Sequence, residues 1–137
     1  MGVILDTSVL IAAERGTFAM SRFLHQRIDE SIAVAAITIS ELLQGSLRTT
    51  RADLRMRRAA FADWVASRVP VLPFGTEEAR RHAEVWAHLQ QQGAMIGLHD
   101  LLIAATALAN GHAVATLDTR DFERIPGLRL VELAPYG

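Results

Sequence analysis

Short apolar runs alternate with longer helical patterns along this chain. Residues 3–5 (Val3, Ile4, Leu5) form an uninterrupted apolar run that stops at Asp6, which predicts a short buried strand. Thr7 and Ser8 follow as candidate N-caps for a short helix over 9–14 that stops near Gly16. Phe18, Phe23, Leu24 and Ile28 recur at helical spacing, and residues 32–36 predict a second strand. A helix over 38–47 and a longer arginine-rich helix over 52–68 come next, the latter with Leu54, Phe61, Trp64 and Val65 as its apolar side. Residues 69–74 carry Pro70 and Pro73; proline has no N–H to donate, so this is a short or edge strand. A helix over 76–92 turns Ala79, Ala83, Trp86 and Leu89 inward. Residues 98–109 are apolar on nearly every face, the mark of a buried central helix, with Gly111 as its stop. Residues 112–117 predict a strand ending at Asp118, and residues 128–133 the last strand.

Strands alternating with helices predict an α/β fold with a mainly parallel sheet and helices on both faces. No repeat, low-complexity tract or linker interrupts residues 1–137, so one domain is expected. A chain of this size hides roughly 70% of the surface that its unfolded form exposes. Its 50% apolar and 21% charged residues exclude a disordered chain. The absence of cysteine removes disulfides, thiolate zinc sites and thiol nucleophiles, and suits a reducing, cytoplasmic setting. No apolar run reaches the ~18 residues of a membrane span, and no basic stretch precedes the first apolar run, so neither a membrane segment nor a signal peptide is expected.

The net charge of −1 gives no global attraction to nucleic acid, but all 14 basic residues are arginine. Chemistry that needs lysine is therefore excluded. Arg48, Arg51, Arg55, Arg57 and Arg58 crowd into one local basic patch, which reads either as a solvated helix face or as a binder of phosphate or protein.

In open α/β sheets, sites form outside the carboxyl ends of the strands. Asp6 and Asp118 fall at such ends, while Glu41 and Asp100 fall in first turns of helices. Each has a bland alternative. Asp6 can cap the next helix, Thr38 and Glu41 match a capping box, Asp100 gains from the helix dipole, and Asp118 can close an Asx turn. Asp121 reads as a cap or an arginine partner. Together the acids are harder to dismiss. Two carboxylates ~4 Å apart repel by roughly 4 kcal/mol at an effective dielectric of ~20, so a cluster calls for a cation or for raised pKa values. Oxygen-only ligands suit Mg²⁺ or Mn²⁺, which polarises a phosphodiester and acidifies a bound water.

Other chemistries find less support. The chain has no phosphate-binding glycine loop and no HExxH. Ser8 and Ser40 lack a histidine partner. His99, beside Asp100, reads as a rim residue, and Trp64 and Trp86 as core.

The segments 4–11 (ILDTSVLI), 39–45 (ISELLQG), 96–107 (IGLHDLLIAATA), 115–122 (ATLDTRDF) and 125–128 (IPGL) occur in an order and spacing that resembles the PIN-domain family. The resemblance spans residues 3–133, and the size is similar to the VapC-type toxins of bacterial and archaeal toxin–antitoxin pairs. It implies a compact α/β/α sandwich and a metal-dependent endoribonuclease. Its acidic site would be Asp6, Glu41, Asp100 and Asp118, with Asp121 as a second candidate for the fourth place. By the same resemblance Asp6 and Asp100 would be the direct metal ligands, with Glu41 and Asp118 acting through water, at a second ion, or on the attacking water. Hydrolysis would be in-line, leaving 5′-phosphate and 3′-hydroxyl ends, with Ser8 or Thr116 near the scissile phosphate. The implied partners are an RNA substrate, a small antitoxin and a second copy of the chain. Two alternatives stand beside this: a non-catalytic PIN-like interaction module, which has no reason to keep repelling acids, and a phosphatase or phospho-receiver, which the missing lysine disfavours.

Overall fold

The computed structural model describes residues 2–137. Its frame is a parallel four-stranded sheet in the order β3-β2-β1-β4. Strand β1 (Gly2–Leu5) lies between β2 (Ser31–Ala35) and β4 (His112–Ala115), with Val3 opposite both Ile32 and Ala113. Side chains of a strand alternate between the two faces of its sheet. Val3 and Leu5 accordingly join one apolar cluster, with Phe23, Leu42 and Val65, while Ile4 joins the other, with Leu89, Leu101 and Ile103. Burial on both faces is why β1 reads as a continuous apolar run. Edge strand β3 is only Val71–Leu72, cut short by the flanking prolines.

Helices α1 (Thr7–Glu14), α2 (Met20–Gln26), α3 (Ala36–Arg48) and α4 (Ala52–Arg68) alternate with the first strands. Helices α5 (Thr76–Gln92) and α6 (Leu98–Ala109) then precede β4, and the one-turn helix α7 (Thr119–Phe122) follows it. α6 is the buried helix expected: Leu101, Ile103, Ala104, Ala105, Thr106 and Ala107 are all covered. It stops where Gly111 adopts φ +68°, a left-handed conformation that glycine takes without penalty. The three layers are helices, sheet and helices, as predicted.

Several local expectations fail. The last strand is reduced to a single bridge, Val114 with Leu130, because Leu133 leads straight into a 3₁₀ turn at Ala134–Tyr136. α2 is shorter than the apolar spacing implies, and Ile28 beyond it is 77% exposed. On α5 the buried positions are Val85 and Leu89; Ala79, Ala83 and Trp86 face outward. The helix carries two apolar stripes, and packing against α6 selects the narrower one. Trp86 instead stands edge-on to His82, and Trp64 stacks on Phe61 with 46% of its surface exposed. Among the described residues, no helix is long and apolar enough to cross a membrane.

Candidate functional site

The carboxyl edge of the sheet collects acids from separate segments. β1 ends at Asp6, whose backbone N–H donates to the Ala115 carbonyl (2.9 Å), which ties it to the end of β4. Its side chain is 5% exposed. Asp6 Oδ2 accepts hydroxyl hydrogen bonds from Ser8 (2.7 Å) and Thr116 (2.8 Å). Thr116 Oγ1 also accepts the Asp118 N–H (3.0 Å), and Ser8 Oγ accepts the Leu117 N–H (3.1 Å). The Asp6 carboxylate thus sits in a lattice of donors drawn from both strand ends.

Glu41 does not cap α3. That helix begins at Ala36, with Ala35 as its cap, so Thr38 lies inside it and the expected capping box does not form. Early entry into the helix frees Glu41 to reach across to α1. Its Oε1 accepts the Thr7 hydroxyl (2.6 Å), and its Oε2 lies 3.2 Å from His99 Nδ1. Thr7, expected as a cap, is a buried link to Glu41 and Thr38 (3.1 Å). His99 is at the rim, as expected, but it touches the cluster.

Asp100, in the first turn of α6, has the opposite environment to Asp6. Its carboxyl is pushed up from the ordinary 3.8 to about 7. Burial is the largest cause, followed by the hydrogen bond with Asp121 and then the charges of Asp6, Asp121 and Glu41. Asp121 lies on α7, and its Oδ2 also accepts the Gly97 N–H (3.2 Å). Among the described residues it is neither the cap nor the arginine partner that its residue type and position alone suggest; it lies instead beside Asp100, in line with its place as the second candidate for the fourth acid. The signal was present in the spacing: three residues after Asp118, one helical turn carries the side chain back toward α6. Asp118 is placed differently. It is exposed, its backbone joins the Thr116 network, and its carboxylate is not among the groups that act on Asp100.

The structure therefore brings Asp6, Glu41, Asp100 and Asp121 into one electrostatic unit and leaves Asp118 at its edge. The donor chemistry, all hard oxygen with excess negative charge, fits a hard divalent cation. Among the described residues, no three such side chains stand ready as a metal-binding group.

The PIN domain family model matches residues 3–128. Ribonuclease VapC1 of Rickettsia felis is 38% identical over 134 residues, 98% of this chain and 98% of that protein. The DNA-bound VapBC crystal structure from Salmonella typhimurium contains a chain of similar fold, with TM-score 0.87 and 27% identity, covering 98% of this chain and 99% of that one. VapBC-5 from Mycobacterium tuberculosis, a member of the VapBC family of toxin-antitoxin systems, contains another at TM-score 0.79 and 30% identity, covering 96% and 98%. The family match over residues 3–128 and the near-full-length relative show that this chain belongs to the PIN-domain family, in its VapC group.

Proposed function

We propose that this chain, acting as one unit over residues 1–137, is the ribonuclease toxin of a toxin–antitoxin pair and a divalent-metal-dependent endoribonuclease. The observation that carries the reading is the gathering of Asp6, Glu41, Asp100 and Asp121 at the carboxyl edge of the sheet. Relatives named VapC ribonuclease, and neighbours in VapBC toxin-antitoxin structures, supply the substrate class and the partner.

Asp6 and Asp100 would hold Mg²⁺ or Mn²⁺ directly, with Glu41 and Asp118 acting through water or at a second ion and Asp121 assisting beside Asp100. When bound, such an ion supplies positive charge to the phosphodiester and acidifies water. The chain's own groups do the positioning. Ser8 and Thr116 fix the Asp6 carboxylate in one orientation. Thr7 and His99 hold one oxygen each of Glu41, which would then orient the attacking water. In-line attack leaves 5′-phosphate and 3′-hydroxyl ends. A small antitoxin would cover this edge, and the toxin would pair with a second copy of itself.

The test is incubation of the pure protein with labelled RNA in Mg²⁺, Mn²⁺ or EDTA. Cleavage in either metal, lost in EDTA, is the expected result. Intact RNA in every condition overturns the reading.

A further inference from the structure

Residues 94–97, between α5 and α6, belong to no helix or strand, and α6 begins directly after them with His99 and Asp100 in its first turn. The short stretch after β4 holds this segment at three points. Asp121 Oδ2 accepts the Gly97 N–H (3.2 Å). Arg124 Nη1 donates to the Met95 carbonyl (3.2 Å). Between those two bonds the Ile96 side chain is buried, in the same apolar cluster as Phe122 and Ile125. The Arg124 N–H closes a turn onto the Asp121 carbonyl (3.2 Å), and residues three apart on such a turn face the same way. Arg124 is exposed and makes no ion pair among the described residues; the bond its guanidinium makes is to backbone.

We propose that Arg124 is a positioning residue for the acidic site: together with Asp121 it fixes segment 94–97 and thereby sets where Asp100 and His99 stand at the start of α6. The proposal rests on the ribonuclease reading above and adds a residue outside the acidic cluster on which turnover depends. Asp121 and Asp100 are adjacent acids, and when both are ionised they push α7 away from α6. Burial of Phe122 and Ile125 opposes the push, but apolar contact is non-directional and does not hold a backbone to one fine position. A hydrogen bond does, because it weakens steeply with distance and angle. With the Arg124 bond gone, the segment would be held by Asp121 alone, through a carboxylate that its neighbour repels. A misplacement of about 1 Å in a group at the reacting centre slows the reaction, even when the cause lies far from the chemistry.

The experiment compares wild type with Arg124→Ala and Arg124→Lys; a lysine amine can donate to the same carbonyl. Three quantities are read: Gly97 amide exchange in metal-free protein, Mn²⁺ affinity without RNA, and steady-state cleavage of labelled RNA in Mg²⁺. In Arg124→Ala the Gly97 amide should exchange about tenfold faster, because a loosened segment opens more often. Mn²⁺ affinity and kcat should each fall roughly tenfold with KM unchanged, the lower end of what is lost when a residue supporting a metal ligand is removed. Arg124→Lys should recover most of each loss. Unchanged exchange and Mn²⁺ affinity in Arg124→Ala overturn the proposal. So does a raised KM together with a salt slope of RNA affinity flattened by about 0.7, which means that Arg124 touches an RNA phosphate itself. A loss that lysine does not recover, or that matches the unfolded fraction in melting curves, also overturns it. If wild type fails to cleave RNA, the ribonuclease reading falls, while Gly97 exchange still decides whether Arg124 holds the segment.

Discussion

Asp6 and Asp100 are the same residue type at one sheet edge, and the fold treats them in opposite ways. Asp6 is buried among hydroxyl donors from Ser8 and Thr116. Asp100 is half-buried against another acid, and its carboxyl holds its proton up to about 7. One carboxylate is satisfied by the protein; the other is opposed by it. A charge-assisted hydrogen bond stabilises the ion that accepts it, whereas a like charge nearby penalises it. The first arrangement fixes a carboxylate in place without help. The second stores repulsion that a proton or a cation would relieve, so it is Asp100 that links the protein's stability to pH.

The comparison can be broken most sharply by neutralising each acid in turn. Asp6→Asn and Asp100→Asn should each lower RNA cleavage by a factor on the order of 10² to 10³, as expected when a group that organises charge at a reacting centre is lost. Their effects on the fold should diverge. In urea at neutral pH, Asp100→Asn should be at least as stable as wild type, while Asp6→Asn should lose about 1 kcal/mol, because two charge-assisted bonds become neutral ones. Equal stability changes would end the distinction drawn between the two sites.

A smaller effect tests the donor side. Thr116→Val preserves shape but strips Asp6 of one donor and the Asp118 N–H of its acceptor. Thr116 is 3% exposed, so a loss of about 2 kcal/mol is expected in urea unfolding. A loss below ~0.5 kcal/mol would show that water replaces the hydroxyl.

The smallest effect is in pH dependence. Asp100 releases its proton near 3.8 when unfolded and near about 7 when folded. Between those values the folded state binds the extra proton, so the stability contribution is complete below the lower value and falls as pH rises through the window. Allowing for partial exposure, metal-free protein should lose about 1 to 2 kcal/mol from this source. Urea midpoints across the window should show the decline in wild type and not in Asp100→Asn. The same slope in both would place the effect elsewhere.

Much of the architecture was legible because it is local. The run Val3-Ile4-Leu5, the all-round apolar α6 and the prolines around β3 each carry their meaning within a few residues. Helix faces were less legible. On α5, Ala79, Ala83, Trp86 and Leu89 were expected to face inward; Leu89 does, with Val85 beside it, while the other three are exposed, since periodicity gives an angle and not the partner that selects it. The bridge at Leu130 failed as a strand for a similar reason: Leu133 is buried and Leu128, Leu130 and Val131 are half-buried, yet the backbone turns away after one pairing.

The site divides along the same line. The sequence by itself determined which acids stand at strand ends and helix starts, and the order of motifs that marks the family, because both are properties of spacing along the chain. Only the tertiary structure decided that Glu41 answers Thr7 and His99 rather than capping its own helix, and that Asp121 meets Asp100 while Asp118 stays exposed. Those choices depend on the helical angle between neighbouring residues and on which segment packs opposite. A carboxylate's chemistry is set by the charges and donors within a few ångströms of it, and chain folding brings most of these from distant positions.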